Sequence, residues 1–155
     1  MTAKYISVIG GDMRHAALAR VLSKRGFDVR FYGIDIYNGD FGGAKKCTSA
    51  EEALAGADIV ILPLPAGSGG IYINAPFADG EITIDEVAEK MPPDALLLGG
   101  MIPQEFLLRT GERKIKCIDY YEREELMVMN AIPTAEGAVA IAMDELPITL
   151  NGMNA

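Results

Sequence analysis

The first predicted strand and the turn after it are encoded by Tyr5-Ile6-Ser7-Val8-Ile9-Gly10-Gly11-Asp12. β-Branched and aromatic side chains favour a strand over the first five residues, and the paired glycines favour a tight turn. A helical pattern then runs from Met13 to Arg25, and Gly26 follows it in the position of a helix-ending glycine. The larger apolar residues of this helix fall on one face, namely Met13, Ala17, Leu18, Val21 and Leu22.

The alternation of short apolar runs with helical segments continues along the chain. Further strands are predicted at Val29–Tyr32, Asp58–Leu62, Ala95–Leu98 and Lys114–Ile118. Further helices are predicted at Ser49–Leu54, Ile84–Glu89, Pro103–Arg109 and Ala135–Glu145. Strands separated by helices form parallel sheets through right-handed crossovers, with helices on both faces. We therefore predict an α/β fold: a flavodoxin-like (Rossmann-like), doubly wound parallel sheet of five strands in a single three-layer domain.

Composition excludes several classes of function. The 155 residues carry 14 Lys and Arg against 22 Asp and Glu, a net charge of -8 that argues against nucleic acid or an anionic membrane as partner. Cys47 and Cys117 lie far apart, and the chain has one histidine, so no metal site is expected. The first residues lack the apolar core of a secretory signal, and no apolar run is long enough to span a membrane. We expect a cytoplasmic domain.

Ligands of doubly wound sheets bind beyond the carboxyl ends of the strands. None of the known anion-binding loops fits the first of these ends. The dinucleotide pattern GxGxxG would need glycine where Asp12 and His15 stand, and the Gly-Lys-Ser/Thr of a phosphate loop is absent. A flavin-phosphate loop would need several Ser or Thr residues after the first strand, but none occurs before Ser23. A phospho-acceptor domain would have an aspartate at the end of the third predicted strand, where Leu62 and Pro63 stand instead.

Arg14 stands out because it lies in the first turn of a helix, where its charge opposes the helix dipole. One interpretation is a local pair with Asp12 or another carboxylate. The other is a small carboxylate ligand held by Arg14 together with the helix amides. His15, the next residue, is expected to be an exposed helix residue rather than a catalytic base.

The glycine- and proline-rich connection from Pro63 to Gly80 is long for an ordered loop. Its segment Leu64–Gly70 offers consecutive amides and the Ser68 hydroxyl, a combination that can form an anion-binding nest. A lid, a hairpin flap built on Ile71-Tyr72-Ile73, and a ligand-free surface loop all remain open.

The terminal helix carries an apolar stripe with additional apolar residues, Ala140 and Ile141, beside it. The stripe consists of Ala135, Ala138, Val139, Ala142, Met143 and Leu146. A helix of this kind packs on two sides against a second domain or another protomer, or it forms an apolar surface.

Four stretches in fixed order resemble the A subunit of dipicolinate synthase. They are Val8–Asp12 with Arg14, Ile61–Pro63, Tyr121–Glu124 and Asn130–Ala138. The last, Asn-Ala-Ile-Pro-Thr-Ala-Glu-Gly-Ala, resembles the helix that joins the substrate and cofactor domains of that family, with related forms in S-adenosylhomocysteine hydrolase and alanine dehydrogenase. The resemblance covers essentially the whole chain, and the order and spacing of the motifs are more specific than any one of them.

That family makes pyridine-2,6-dicarboxylate, the calcium chelator of bacterial endospores, by an NAD(P)-linked oxidation of a dihydro- or tetrahydrodipicolinate precursor. The resemblance implies that residues 1–155 are an N-terminal substrate-type domain ending in an interdomain-type helix at residues 134–146. It implies that NAD(P) is bound by a second, C-terminal cofactor domain absent from this chain, and that this chain alone binds no cofactor. The implied partners are a dicarboxylate, the cofactor domain and the B subunit of dipicolinate synthase, with a homo-oligomer as a further option.

The resemblance also implies that the ligand of the candidate site residues is a dicarboxylate, although it assigns no catalytic residue. A dicarboxylate suits the carboxylate interpretation of Arg14. The substrate-binding candidates are Asp12, Arg14, Ser68, Asn130, Thr134 and Glu136. Asn130 could instead cap the terminal helix, and Arg123 is a further candidate that Glu122 and Glu124 could neutralise.

Two rival functions stay open. The chain could be a non-catalytic ligand-binding or scaffold module with the same fold. It could also be a nucleotide-binding domain with an atypical Gly10-Gly11 loop and Asp35 on a ribose. This last hypothesis ranks lowest because the loop lacks two of its three glycines.

Overall fold

The computed structural model describes residues 4–145, which fall into two compact units divided between Tyr120 and Tyr121. The strands are β1 Tyr5–Ile9, β2 Asp28–Tyr32, β3 Lys45–Lys46, β4 Ile59–Ile61, β5 Gly67–Ser68, β6 Tyr72–Ile73, β7 Leu96–Gly99 and β8 Lys116–Asp119. The helices are α1 Met13–Lys24, α2 Ala50–Leu54, α3 Ile84–Lys90, α4 Gln104–Glu112 and α5 Glu124–Glu145.

The main sheet has six parallel strands in the order β3-β2-β1-β4-β7-β8. The five predicted strands are confirmed, and they follow the flavodoxin-like order. The sixth strand, β3, is an edge strand of two lysines that pairs with β2. The sequence did not predict it because a Lys-Lys pair has none of the β-branched or apolar signal of a strand.

Two apolar clusters cover opposite faces of the sheet, as the doubly wound fold requires. Ile6 and Val8 of β1 pack on one face with Ala16 and Ala19 of α1. The alternate residues of β1 pack on the other face, in a larger cluster that includes buried residues of α2, α3 and α4. This alternation follows from the strand geometry, in which successive side chains point to opposite faces.

The buried face of α1 differs from the predicted one. Met13 and Val21 are exposed, whereas His15, Ala16 and Ala19 are buried. Small alanines allow a helix to approach the sheet closely, but they contribute little to an apolar pattern dominated by larger residues. The helix ends as predicted: the Gly26 amide donates to the Ser23 carbonyl at 2.9 Å with Gly26 at φ 89°.

The terminal helix begins earlier than predicted. α5 starts at Glu124 rather than at residue 134 or 135, and Pro133 lies inside it. Proline lacks an amide proton and usually interrupts a helix, yet Pro133 is accommodated within this one. Every residue of α5 whose burial is described is exposed, and the predicted end at residue 146 lies outside the described residues. No helix within residues 4–145 combines the length and apolar character needed to cross a membrane.

Candidate functional site

The connection from β4 to α3 covers the carboxyl ends of β1 and β2. The Gly11 amide donates to the Asn74 carbonyl at 2.9 Å, and the Asp35 amide donates to the Phe77 carbonyl at 2.6 Å. Within it, β5 and β6 form the antiparallel hairpin that was one of the predicted alternatives. The Ala66 amide donates to the Gly100 carbonyl at 2.7 Å, so the hairpin base is also tied to the end of β7. The carboxyl edge that remains beside α1 lies over β4, β7 and β8.

Asp12 and Arg14 form a tight pair at the start of α1. Asp12 caps the helix by accepting the Arg14 amide at 2.9 Å, and its carboxylate also accepts from Arg14 Nη2 at 2.9 Å and from Nε at 3.1 Å. The guanidinium holds the pKa of Asp12 below its usual value of 3.8. Nη2 reaches further, to the Leu64 carbonyl at 3.3 Å. The local-pair interpretation of Arg14 is therefore confirmed, while the side chain stays 67% exposed.

His15 is buried, at 6% exposure, and the expectation of an exposed residue was wrong. Its ring lies against Gly11, where an added Cβ would come within 2.3 Å of Nδ1. This close approach explains why glycine occupies position 11, at φ 95°. Nδ1 is buried without a hydrogen-bond partner among the described residues. Burial lowers the pKa of His15 below 6.5, against a hydrogen bond with the Leu62 backbone that raises it.

The buried imidazole predicts a loss of stability in mild acid. Below pH 6.5 the unfolded chain binds a proton at His15 that the folded chain does not, so the free energy of unfolding falls as the pH falls. Between pH 7.5 and 5.5 we expect the wild type to lose up to about 1.4 kcal/mol more than His15→Gln. Urea denaturation of both proteins across this range measures the difference. Parallel pH profiles would contradict the prediction.

Tyr120 connects the end of β8 to the end of β4. Its hydroxyl donates to the Leu62 carbonyl at 3.0 Å. Burial raises the pKa of Tyr120 to about 12, so the phenol remains a neutral donor. Its ring and Leu64 both lie against Gly100, where an added Cβ would be 2.7 Å from Tyr120 Cε2 and 2.6 Å from Leu64 Cδ1. The ends of β4, β7 and β8 are thus packed together beside Arg14.

Met101 and Asp119 are two residues of this edge that were not among the predicted site residues. Asp119 ends β8, and its carboxylate accepts the amides of Met101 at 3.1 Å and Ile102 at 2.8 Å. Met101 is exposed and has a positive φ of 51°. The sequence offered a signal for Asp119, since an aspartate at a strand end can be recognised there. It offered none for the conformation of Met101, because methionine rarely has a positive φ.

Ser68 lies on the exposed side of the hairpin rather than beside Arg14. It lines an open depression of about 630 Å³ together with Tyr72, Asn74 and Glu81. Neither Asp12 nor Arg14 is among the lining residues of that depression. The predicted grouping of Ser68 with the carboxylate site therefore remains a proposal.

Two of the three candidates on α5 share a face of the helix. Asn130 and Thr134, one turn apart, line a shallow groove of about 730 Å³ with Tyr121 and several alanines, whereas Glu136 does not line it. The Thr134 hydroxyl donates to the Asn130 carbonyl at 2.7 Å. The alternative that Asn130 caps the helix is wrong, because α5 already begins at Glu124.

The two remaining charged candidates are paired with neighbours. Arg123 Nε lies 3.5 Å from Glu125 Oε2. Asp35 pairs with Lys46 at 2.8 Å and accepts the Asp79 amide at 3.1 Å. Asp35 therefore fastens the β4–α3 connection over β2, which argues against its predicted role on a ribose.

Two solved structures have folds similar to that of this chain. The chain is similar to a D-isomer-specific 2-hydroxyacid dehydrogenase from Lactobacillus delbrueckii ssp. bulgaricus in its NAD-complexed form, with 20% identity and a TM-score of 0.51 over 78% of this chain and 38% of that chain. It is also similar to the dipicolinate synthase A subunit of Bacillus halodurans, with 24% identity and a TM-score of 0.82 over 97% of this chain and 52% of that chain. These similarities establish an α/β, Rossmann-like fold.

The sequence comparison is more specific. Residues 5–121 match the family model of the N-terminal domain of the dipicolinate synthase A subunit, and the chain belongs to this family. It is 28% identical over 153 residues to the dipicolinate synthase A subunit of Bacillus subtilis (strain 168), covering 98% of this chain and 52% of the relative. The chain thus spans about half the length of that curated relative. The resemblance found in the sequence is confirmed.

Proposed function

We propose that this chain is the substrate-binding half of a dipicolinate synthase A subunit. In this role it helps to bind a dicarboxylate precursor for NAD(P)-linked oxidation to pyridine-2,6-dicarboxylate during sporulation. The observation that supports the proposal is the exposed Arg14 guanidinium at the N-terminus of a 12-residue helix. Helix amides and an arginine together form a favourable environment for a carboxylate.

The contacts of Arg14 prepare it for a second carboxylate. Within residues 4–145, Asp12 and Leu64 accept from Nε and Nη2, which leaves Nη1 as the nitrogen that can donate to a ligand. These contacts also hold the side chain in one place, so less conformational freedom is lost on binding. Asp12 is a positioning residue in this proposal. Because the whole chain has a net charge of -8, an anion is attracted by this local arrangement rather than by the overall field.

The first turn does not fit the pyrophosphate of a nicotinamide cofactor. The Gly11 amide is already bonded to Asn74, and the Asp12 carboxylate occupies the helix N-terminus that a pyrophosphate would use. We therefore propose that NAD(P) binds to a second domain, which is consistent with the NAD named for the dehydrogenase of similar fold. The contribution of this chain would be to bind and orient the dicarboxylate.

Helix α5 is proposed to join this chain to that second domain. Its apolar side chains are exposed along the helix, including Met129 at 71%, Ile132 at 64% and Ile141 at 65%. Exposed apolar surface of this extent is typical of a protein interface. Ser68, Asn130, Thr134 and Glu136 remain proposed substrate contacts. Because the Bacillus subtilis relative is named as a subunit, we also propose a complex with a B subunit.

Titration with pyridine-2,6-dicarboxylate tests the carboxylate site. We expect Arg14→Ala to weaken binding at least tenfold, since a charge-assisted contact is lost, and Arg14→Lys to weaken it less. Arg25→Ala is the matched control, because Arg25 lies at the opposite end of α1 and its loss changes the net charge equally. Isothermal calorimetry measures the three affinities. Equal affinities of Arg14→Ala and Arg25→Ala would exclude Arg14 from the site.

A further inference from the structure

Met101 adopts a backbone conformation that its residue type disfavours. Among residues 4–145, the non-glycine residues with positive φ are Met101 at 51° and Lys114 at 58°. Lys114 has an ordinary reason, because it follows the last turn of α4, where its amide donates to Gly111 and the Ile115 amide donates to Thr110. Met101 follows a strand and has no such helix end.

The surrounding loop holds Met101 in this conformation. The Asp119 carboxylate accepts two successive amides, those of Met101 and Ile102. The preceding residue is fixed as well, since the Gly100 amide donates to the Pro63 carbonyl at 3.1 Å and the Gly100 carbonyl accepts from Ala66. A disfavoured backbone conformation that several contacts maintain is typical of a functional position. Its consequence here is a thioether side chain that stays 53% exposed at the carboxyl edge of the sheet.

The backbone at Met101 is connected to the proposed carboxylate site through packed neighbours. Gly100, its neighbour in the chain, packs against Leu64, and the Leu64 carbonyl accepts from Arg14 at 3.3 Å. Met101 is therefore linked through two residues to the guanidinium that would bind a carboxylate. Thioether sulfur makes favourable contacts with aromatic rings, and methionine adapts to flat apolar ligands.

We propose that Met101 is a specificity-determining residue that contacts the flat ring of a heterocyclic dicarboxylate whose carboxylate is bound at Arg14. The inference rests on the proposed function and assigns the ring and the carboxylate to different residues. Arg14 provides affinity for any carboxylate, whereas Met101 distinguishes a planar ring from a flexible chain. The hydrogen bonds to Asp119 keep the thioether at the edge.

The test compares two dicarboxylates with seven carbon atoms, pyridine-2,6-dicarboxylate and the open-chain heptanedioate. We expect Met101→Gly to weaken binding of the ring compound about three- to tenfold and to leave heptanedioate within about twofold. Met101→Asn should give the same result, because asparagine tolerates a positive φ but offers no thioether. Lys114→Gly is the matched control, since it removes a side chain from the same backbone conformation at a distant turn.

The outcomes separate this inference from the function on which it rests. Equal weakening of both dicarboxylates by Met101→Gly, or no weakening of either, would overturn the role of Met101 while leaving the carboxylate site intact. Failure of the wild type to bind either dicarboxylate would overturn the proposed function, and the inference with it. Isothermal calorimetry on the full chain and its variants measures the affinity for each of the two dicarboxylates.

Discussion

Replacement of Gly11 by alanine is expected to lower the free energy of unfolding by about 3 kcal/mol or more. Two effects combine at this position. The backbone has φ 95°, which a side chain disfavours, and the new Cβ would stand 2.3 Å from Nδ1 and 2.4 Å from Cγ of His15. The ring has little room to move away, because it is buried beside the first turn and bonded to the Leu62 backbone. Urea denaturation followed by circular dichroism measures the loss.

Two further variants distinguish the cost of backbone strain from the cost of the steric clash with the His15 ring. Gly56 has φ 77° but, apart from its chain neighbours, no atom of the described residues within 4 Å of the Cβ position, so Gly56→Ala should cost only about 1 to 2 kcal/mol through its backbone. The double variant Gly11→Ala/His15→Ala removes the collision and should be less destabilised than the sum of its single variants. Similar losses for Gly11→Ala and Gly56→Ala would show that the His15 ring does not occupy the observed place.

Replacement of Phe106 by alanine is expected to cost about 3–5 kcal/mol, comparable to the largest effects of single core substitutions. Phe106 lies on α4 with 0% exposure, within the cluster that covers the larger apolar face of the sheet. Removing its ring leaves a cavity between α4 and the strands, and the rigid sheet can close only part of it. Chemical denaturation at pH 7.5 provides the measurement.

The same helix offers a control for Phe106. Leu108, two residues along α4, is 61% exposed, so Leu108→Ala should change the free energy of unfolding by less than about 1 kcal/mol. A loss for Leu108→Ala as large as that for Phe106→Ala would mean that α4 presents a different face to the sheet.

Gly11 affects the candidate site as well as the fold. Gly11, His15 and Leu62 form the packed floor beside Asp12 and Arg14, so a collision at Gly11 would displace the start of α1. We therefore expect variants at Gly11 to alter both stability and dicarboxylate binding, whereas variants at Phe106 alter stability alone. The site depends on how tightly the ends of the strands are packed.

Much of the fold was predictable from local patterns. The five longer strands were found because β-branched and apolar residues run continuously in buried parallel strands. The caps of α2 and α3 were equally local: Ser49 and Thr83 each accept an amide three residues along the chain. The start of α5 was not predicted, and the helix extends on both sides of Pro133, a residue type that usually interrupts helices.

The candidate site was predictable only in part. Asp12 and Arg14 are two residues apart, so their pair at the start of a helix was one of the two alternatives that the sequence offered. The positions of Ser68 and Met101 did not follow, because each depends on contacts with other segments. Ser68 lies in the hairpin because its strand pairs with that of Tyr72. The Met101 amide donates to the carboxylate of Asp119, which is 18 residues away in the chain.

Local sequence patterns are sufficient to predict the alternation of strands and helices, the strand order that this alternation implies, and a charged turn at the start of α1. Each of these depends on side chains within one or two turns of each other. By contrast, contacts between distant segments determine that His15 is buried, that the β4–α3 connection closes over β1 and β2, and that Met101 is exposed in a disfavoured conformation. These features arise where the ends of separate strands meet, and the free energies involved come from packing and hydrogen bonds between segments far apart in the chain.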